Sequence, residues 1–264
     1  GGLPCAEVTF RTPAAEESIR IMADQFPDML LGAGTVLTTE QADRAIAAGA
    51  KFIVSPGFNP KVVSHCIEKN IPITPGISSP SDMEQAIEMG LDAVKFFPAV
   101  PSGGLSMIKA LAAPYHTMRF MPTGGVTPQN LTEFLDYPKI LACGGTWMVK
   151  PELLATGNFE EITRLTRQTV RTMLDLKIDE LTLPFPHTGN NLSDALHGLI
   201  NLSSGSTKEL TISCRYLKRT IYHLEKNGAT FRYDNAKYDS TGNMYTIDFS
   251  DAPEDFSIHL LEKR

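Results

Sequence analysis

Long apolar runs, paired cysteines and an excess of positive charge are all missing from this 264-residue sequence. No apolar stretch approaches the roughly 20 residues that a membrane-spanning helix needs. The first residues, Gly1-Gly-Leu-Pro-Cys5, contain no basic stretch followed by the apolar core of a secretion signal. We therefore expect a cytoplasmic protein with no membrane partner.

The cysteines and the net charge argue against further classes of protein. Cys5, Cys66, Cys143 and Cys214 lie far apart and form no Cys-x-x-Cys pair, so a disulfide framework and a cysteine-bound metal cluster are not expected. The formal net charge of -6 argues against a nucleic-acid partner. A small anionic substrate stays compatible with this charge, because local charge decides such binding.

Seven short apolar runs recur along the first two thirds of the chain, and most are continuous, as in strands covered on both faces. Helix-like segments with capping residues separate several of them. The pattern therefore predicts parallel βα units. The predicted strands are 5–10, 29–36, 52–56, 71–77, 93–98, 119–123 and 140–144, and the predicted helices between them include 14–25, 39–48, 59–69 and 81–88.

The repeat of roughly 20 to 25 residues is close to the minimum for a compact (β/α)₈ barrel, with a doubly wound sheet as the alternative. Glycines and polar residues follow every predicted strand, which favours the barrel, because a barrel builds its site from many strand ends. Seven strands are one short of closure. We therefore expect residues 1–178 to form a TIM barrel that lacks its first βα unit, unless a neighbouring chain or an irregular segment fills the gap.

The pattern changes after the helix predicted over 158–176. Turn-forming residues are frequent over 181–191, so residues 179–207 are predicted to be a linker or entry segment. Residues 208–264 are predicted to form a small α+β module of the order βαβββ.

Lys95 is a lysine inside an apolar predicted strand, where a buried ammonium group would be costly. A lysine that extends its amine to solvent, or is ion-paired, is the ordinary interpretation of such a position. In a barrel strand with aromatic neighbours, desolvation instead lowers the pKa and leaves a free amine that can attack a ketone. Lys95 is therefore the candidate catalytic residue.

Two charged residues of the first predicted strand are candidates for the same site. Glu7 would accept and return protons if its side chain pointed inward, and would be a surface carboxylate otherwise. Arg11 ends this strand and could hold a carboxylate through two parallel hydrogen bonds, the alternative being a surface ion pair.

Glycine pairs follow the last two predicted strands, in Pro122-Thr-Gly-Gly-Val126 and Cys143-Gly-Gly-Thr-Trp147. Either pair alone predicts only a turn. Together, on consecutive barrel strands, they match the common phosphate site in which backbone N–H groups bind the anion.

With these residues in place, residues 1–177 resemble the family of 2-keto-3-deoxy-6-phosphogluconate (KDPG) and 4-hydroxy-2-oxoglutarate (KHG) aldolases, which are class I, Schiff-base-forming lyases. Seven stretches match in order and at similar spacing. They are Glu7-Val-Thr-Phe-Arg-Thr-Pro13, Gly32-Ala-Gly-Thr-Val36, Val54-Ser-Pro-Gly57, Ile73-Thr-Pro-Gly76, Lys95-Phe-Phe-Pro98, Pro122-Thr-Gly-Gly125 and Gly144-Gly-Thr-Trp-Met148.

The resemblance implies a role for each matching residue. Lys95 would form the Schiff base and Glu7 would transfer protons, without a metal or another cofactor. The pyruvate-like carboxylate would be bound by Arg11 and Thr35 near Pro56, with Phe97 packed against the pyruvyl unit. The phosphate would be bound by Thr123, Gly124, Gly125, Gly145 and Thr146, where the family commonly has serine at the last position. A homotrimer acting on a small phosphorylated keto acid is also implied.

Other functions remain open at this point. The substrate could be the galactonate epimer, or the chain could be a catalytically inactive phosphosugar-binding or assembly protein. Another phosphate-binding barrel enzyme, such as an isomerase, would leave Lys95 without a role. Residues 209–264 weakly resemble half of a glyoxalase-like module, but His259 and Glu262 are three apart on one strand and face opposite sides. We therefore expect a folded or dimerising appendage rather than a metal site.

Overall fold

The structure of the protein is a computed structural model that describes residues 1–183, 201–204, 208–253 and 255–263. The chain divides into a first unit, Gly1–Thr169, and a second unit, Val170–Arg264. Most of the linker predicted over 179–207 lies outside the described residues. Among the described residues, no helix combines the length and the apolar character needed to cross a membrane.

The first unit alternates strands and helices. Its elements are β1 (Cys5–Thr9), α1 (Ala15–Gln25), β2 (Leu30–Gly34), α2 (Thr39–Ala47), β3 (Phe52–Val54), α3 (Pro60–Glu68), β4 (Ile73–Thr74), β5 (Gly76–Ile77), α4 (Pro80–Glu88), β6 (Ala93–Phe96), α5 (Gly104–Ala112), β7 (Arg119–Pro122), α6 (Leu131–Leu135) and α7 (Pro151–Ala155). Parallel pairing gives two sheets, β1-β2-β3-β4 and β5-β6-β7. The fold is therefore of the α/β class, with parallel strands as predicted.

Two of the predicted strands differ in the structure, and proline accounts for both differences. The run predicted over 71–77 is divided into β4 and β5 at Pro75, which has no N–H to donate to a ladder. The strand predicted over 140–144 is reduced to two isolated bridges, Phe120 with Ile140 and Thr123 with Gly144. Pro122 lies in β7 between these bridges and likewise cannot donate a hydrogen bond.

The core of the first unit lies between the strands and the helices. Side chains alternate along each strand, so Ala33 of β2 and Ile53 of β3 face the helices and pack with Val62 and Val63 of α3. All four are almost fully buried. The opposite face of β2 carries Gly32 and Gly34, and the Glu7 carboxyl group of the neighbouring strand β1 lies against Gly34.

Among the described residues, the second unit contains the end of one helix, a further helix and six strands. The chain continues through α8 (Phe159–Leu174), in which the boundary between the units falls, to β8 (Lys177–Leu183), β9 (Asn201–Ser204), β10 (Lys208–Cys214), α9 (Leu217–Glu225), β11 (Phe231–Tyr238), β12 (Met244–Phe249) and β13 (Phe256–Glu262). The sheet order is β11-β12-β13-β10-β8-β9, with β10 parallel to β13. Leu217 and Ile221 of α9 pack on Ile247 and Leu260 of the sheet.

The second unit extends beyond the predicted βαβββ order. Strand β8 pairs antiparallel with β10, and β9 pairs parallel with β8. The sequence analysis assigned residues 179–183 to a linker, whereas they form most of a strand. Apolar and polar residues alternate only over Glu180-Leu-Thr-Leu183, and the strand pairing is irregular at Asp179, so the pattern of a half-exposed strand is short.

We expect Ser79→Ala to lower the free energy of unfolding of the first unit by about 1 kcal/mol, because Ser79 caps α4. Its hydroxyl accepts a hydrogen bond from the Asp82 N–H at 3.3 Å, and the Asp82 carboxylate accepts one from the Ser79 N–H at 3.0 Å. Urea unfolding followed by the fluorescence of Trp147, the single tryptophan, measures the change. The exposed neighbour Ser81 provides the control variant Ser81→Ala, and equal midpoints for the two variants would contradict the assigned cap.

Candidate active site

Lys95 is the most deeply buried charged side chain of the proposed site, with only 4 % of its surface exposed. It lies in β6 between the fully buried residues Val94 and Phe96, whose side chains point the opposite way. Desolvation by burial lowers the pKa of the Lys95 amine; Glu7 opposes this shift and Arg11 adds to it. Burial therefore increases the share of the neutral amine, which is the nucleophilic form.

Glu7 lies in the middle of β1 and is half-buried. Desolvation raises the pKa of its carboxyl group, while the positive charges of Lys95 and Arg11 partly lower it again. Each of Glu7 and Lys95 shifts the pKa of the other, and Arg11 shifts both. The fold thus brings Glu7 of β1, Arg11 just beyond β1 and Lys95 of β6 into one electrostatic cluster.

Arg11 and Thr35 follow the carboxyl ends of the neighbouring strands β1 and β2. The Arg11 Nε–H group lies 3.4 Å from the Thr35 hydroxyl oxygen, which is a long hydrogen bond. Thr35 has a φ of 57°, in the left-handed region that a β-branched residue rarely adopts. This conformation costs about 1–2 kcal/mol, and strain of this kind is typical of residues that are held in place for binding or catalysis.

Phe97 lies against Lys95, and Pro56 lies against Gly76, which pairs with Lys95 in the β5–β6 ladder. The Lys95 Nζ atom is 4.9 Å from the centroid of the Phe97 ring, within the range of a cation–π contact. The Pro56 carbonyl group lies close to Gly76: a Cβ atom added to Gly76 would be 2.1 Å from the Pro56 carbonyl oxygen. The Phe97 ring also packs against Gly124, where a Cβ atom would be 3.3 Å from the ring.

The predicted phosphate residues converge at the ends of β7 and of the following bridged segment. Gly124 and Gly125 have φ values of 93° and 85°, a conformation that glycine adopts without strain. The bridge between Thr123 and Gly144 brings the second glycine pair alongside the first. Within the described part of the chain, the buried Thr123 hydroxyl oxygen has no hydrogen-bond partner, which is a costly state for a buried polar group.

The C-terminal residues considered as metal ligands have other partners. The His259 ring lies 2.7 Å from Asp248, and the Glu262 carboxylate accepts a hydrogen bond from the Leu217 N–H at 2.6 Å. Among the residues that the structure describes, no group of three or more histidine, cysteine, aspartate or glutamate side chains could hold a metal ion.

The sequence analysis did not predict that three glycines make room for side chains or backbone of the site. Gly34 lies against Glu7, Gly76 against Pro56 and Gly144 against Thr123, each at a distance that would not accept a Cβ atom. The available signal was the position of each glycine in or beside an apolar strand, where glycine is otherwise unfavourable. Which neighbour each glycine accommodates depends on strand register.

Comparison with known proteins concerns mainly the first unit. The family model described as "Aldolase: KDPG and KHG aldolase" matches residues 1–165. A 2-dehydro-3-deoxy-phosphogluconate aldolase from Treponema pallidum (strain Nichols) is 53% identical over 171 residues, which are 65% of this chain and 81% of that protein. One of the same description from Haemophilus influenzae is 50% identical over 169 residues, covering 64% and 80%.

A solved structure is also similar to the first unit. The KDPG aldolase from Legionella pneumophila, which holds pyruvate as a covalent carbinolamine intermediate, matches with 38% sequence identity and a TM-score of 0.60. The match covers 61% of this chain and 79% of that chain. It supports a TIM-barrel-like α/β fold for the first unit.

The raised pKa of Glu7 predicts a pH-dependent stability. The folded protein binds the proton of Glu7 more tightly than the unfolded chain does, because the pKa in the folded state lies above the ordinary value of 4.5. The free energy of unfolding therefore falls as the pH rises from about 4.5 through the folded-state pKa. The free energy of unfolding of Glu7→Gln, relative to that of the wild type, should therefore increase between about pH 4 and pH 7. Urea unfolding at a series of pH values measures it, and Glu88→Gln controls for the loss of an exposed carboxylate. A pH-independent difference would contradict the assigned environment of Glu7.

Proposed function

Because this chain belongs to the KDPG and KHG aldolase family, we propose that it cleaves 2-dehydro-3-deoxy-6-phosphogluconate to pyruvate and glyceraldehyde 3-phosphate through a Schiff base on Lys95. The enzyme is a class I aldolase. Cleavage of 4-hydroxy-2-oxoglutarate to pyruvate and glyoxylate is proposed as a second activity of the same site. The observation that carries the proposal is the buried Lys95 amine, 4 % exposed, in electrostatic contact with Glu7 and Arg11.

Schiff-base formation begins with attack of the neutral Lys95 amine on the C2 carbonyl carbon of the substrate. The carbinolamine that results loses water and leaves an iminium ion, which withdraws electrons from the C3–C4 bond. The lowered pKa of Lys95 increases the fraction of amine able to begin this step. The contact with the Phe97 ring stabilises positive charge at Nζ and is proposed to help hold the iminium.

Glu7 is proposed as the general acid and base. Its carboxylate takes the proton of the C4 hydroxyl group while the C3–C4 bond breaks and its electron pair moves into the enamine. The aldehyde product leaves, and the same proton is then returned to C3, which gives the pyruvyl iminium that water hydrolyses. A pKa raised above its ordinary value suits a group that must both accept and donate a proton near neutral pH.

Two separate groups of residues are proposed to bind the two anionic ends of the substrate. Arg11 and Thr35 are proposed to bind the carboxylate next to the keto group, near Pro56, since a guanidinium group forms two parallel hydrogen bonds with a carboxylate. The two glycine pairs are proposed to bind the phosphate, with the hydroxyl groups of Thr123 and Thr146 as donors. The unpartnered Thr123 hydroxyl group supports this assignment.

The finer architecture is also a proposal. We place β1 to β7, with β4 and β5 at one shared position, and the bridged segment 140–144 at seven of the eight strand positions of a (β/α)₈ barrel over residues 1–178. The module of residues 208–264 would follow the barrel, and β8 and β9 belong to the sheet of that module. A homotrimer in the cytoplasm is proposed from the family resemblance and the scattered cysteines.

Trapping with pyruvate tests the covalent step. Incubation with pyruvate and borohydride should add one reduced pyruvyl group to Lys95 in the wild type, detected by mass spectrometry of peptides. Lys95→Met should abolish the adduct and lower cleavage by about 10³-fold or more, because the covalent route is closed. Glu7→Gln should lower turnover by about 10²- to 10⁴-fold with a smaller effect on the trapped fraction.

The control for this experiment is Lys51→Ala, which removes an exposed lysine at the start of β3 and should leave the adduct intact. Absence of an adduct in a folded wild-type protein would refute the aldolase mechanism. It would favour the phosphosugar-binding alternative.

Substitution of Thr146 tests the proposed phosphate site. Thr146→Val removes the hydroxyl group but keeps the shape, so the KM for the phosphorylated substrate should rise about tenfold or more, as expected for a lost hydrogen bond to a charged group. Thr146→Ser retains the hydroxyl group and should stay close to the wild type. Steady-state cleavage assays measure the effect, with pyruvate trapping as an internal reference. An unchanged KM in the valine variant would remove Thr146 from the site.

A further inference from the structure

Residue Gly34 of β2 is buried directly against the carboxyl group of Glu7. A Cβ atom at Gly34 would lie 1.7 Å from Glu7 Oε1 and 2.5 Å from its carboxyl carbon, closer than real atoms approach. The backbone conformation does not demand glycine here, because Gly34 is not among the residues with positive φ. Space for the neighbouring side chain is therefore the physical reason for this glycine.

We propose that Gly34 is a positioning residue of the aldolase reaction, which provides the space in which the Glu7 carboxylate is held for proton transfer. The inference rests on the proposed function of Glu7 and adds a residue to which no role has been given. It predicts that any side chain at position 34 displaces the general base without removing it.

Strand register explains why the contact falls at this position. In the parallel ladder, Glu7 pairs with Gly32 and Thr9 pairs with Gly34. Side chains lean along the strand, and the Glu7 carboxyl group reaches the glycine two residues beyond its own partner. Ala33, between the two glycines, faces the helices and is fully buried, so the glycines share the opposite face with Glu7.

A methyl group at position 34 should change the position of Glu7 more than the stability of the fold. The atom it meets is the far end of a flexible side chain, which can rotate away. A displacement of about 1 Å is enough to lower the rate of a positioned step by about 10²-fold. Gly34→Ala should therefore remain folded and lose proton transfer.

Gly32→Ala is the matched control, since it adds the same methyl group to the same face of the same strand. There it would meet the Phe52 ring at 2.2 Å instead of a carboxyl group. A general effect of crowding this face would appear in both variants, whereas an effect through Glu7 would be confined to Gly34→Ala.

The readout is the exchange of pyruvate methyl protons in D₂O, which requires proton transfer from the Lys95 Schiff base but no cleavage. Gly34→Ala should exchange at least tenfold more slowly, while the fraction of Lys95 trapped by borohydride at saturating pyruvate changes less than twofold. The acidic limb of the exchange rate should also move to lower pH, because a displaced carboxyl group is better solvated and its raised pKa falls.

Rescue by a shorter side chain completes the test. Glu7→Asp withdraws the carboxyl group from the added methyl group. If the two changes acted independently, the exchange rate of the double variant Gly34→Ala/Glu7→Asp, relative to the wild type, would be the product of the relative rates of the two single variants. We expect the double variant to exchange at least threefold faster than this product. The same change should not rescue Gly32→Ala. If Gly34→Ala fails to fold, as judged by Trp147 fluorescence, recovery of folding in the double variant supports the contact, and its absence overturns it.

The two proposals fail in different ways. A wild type that neither traps nor exchanges pyruvate would overturn the aldolase function. A wild type that does both, with a folded Gly34→Ala variant that exchanges equally fast or a double variant without rescue, would overturn only the role of Gly34.

Discussion

The burial of one amine is the constraint on which the rest of the site depends. Removing an ammonium group from water is costly, and the structure answers this cost in two ways. The pKa of Lys95 falls, so the group is more often neutral, and the Glu7 charge and the Phe97 ring stabilise the positive form when it occurs. Both are needed, because the amine must be neutral to attack the ketone and positive once the iminium has formed.

The pKa values of Lys95 and Glu7 move towards each other for the same physical reason. Desolvation disfavours the charged form of each group, which lowers the pKa of the amine and raises that of the carboxyl group. The smaller difference between the two pKa values lowers the free-energy cost of moving a proton between the two groups. A dry location is thus sufficient to prepare both a nucleophile and an acid–base group, provided that the side chains are held close enough to influence each other.

The residues that make this site possible do not contribute equally to stability. Ala33 and Ile53 face the helices and form the core, whereas the opposite face of β2 carries glycines, which bury little surface. Thr35 is in a strained conformation, and the buried hydroxyl group of Thr123 has no partner within the described residues. The helix-facing sides of the strands therefore stabilise the fold, whereas residues just beyond the strand ends are held in locally unfavourable states at the proposed site.

The local sequence pattern is sufficient to predict the α/β class of the first unit and to single out Lys95. A lysine within an apolar strand stands out because its burial needs a reason, and continuous apolar runs that alternate with helix-like segments indicate a parallel α/β fold. The two prolines Pro75 and Pro122 show where such reasoning stops, since they interrupt ladders that hydrophobicity alone predicts as continuous. Strand β8 was missed because its partner β10 is distant in sequence, and the glycine contacts were missed because they depend on register.

In the second unit, side chains that could be taken for metal ligands from the sequence have structural roles. Glu262 accepts a hydrogen bond from the first N–H group of α9, which a helix cannot satisfy internally. Asp248 lies opposite His259 in the β12–β13 ladder and accepts a further hydrogen bond from Asn235 at 3.1 Å. These contacts join α9, β11, β12 and β13 to one another. His259 and Glu262, the residues of this unit considered as metal ligands, thus help to hold the sheet and its helix together, and the chemistry is assigned to the first unit.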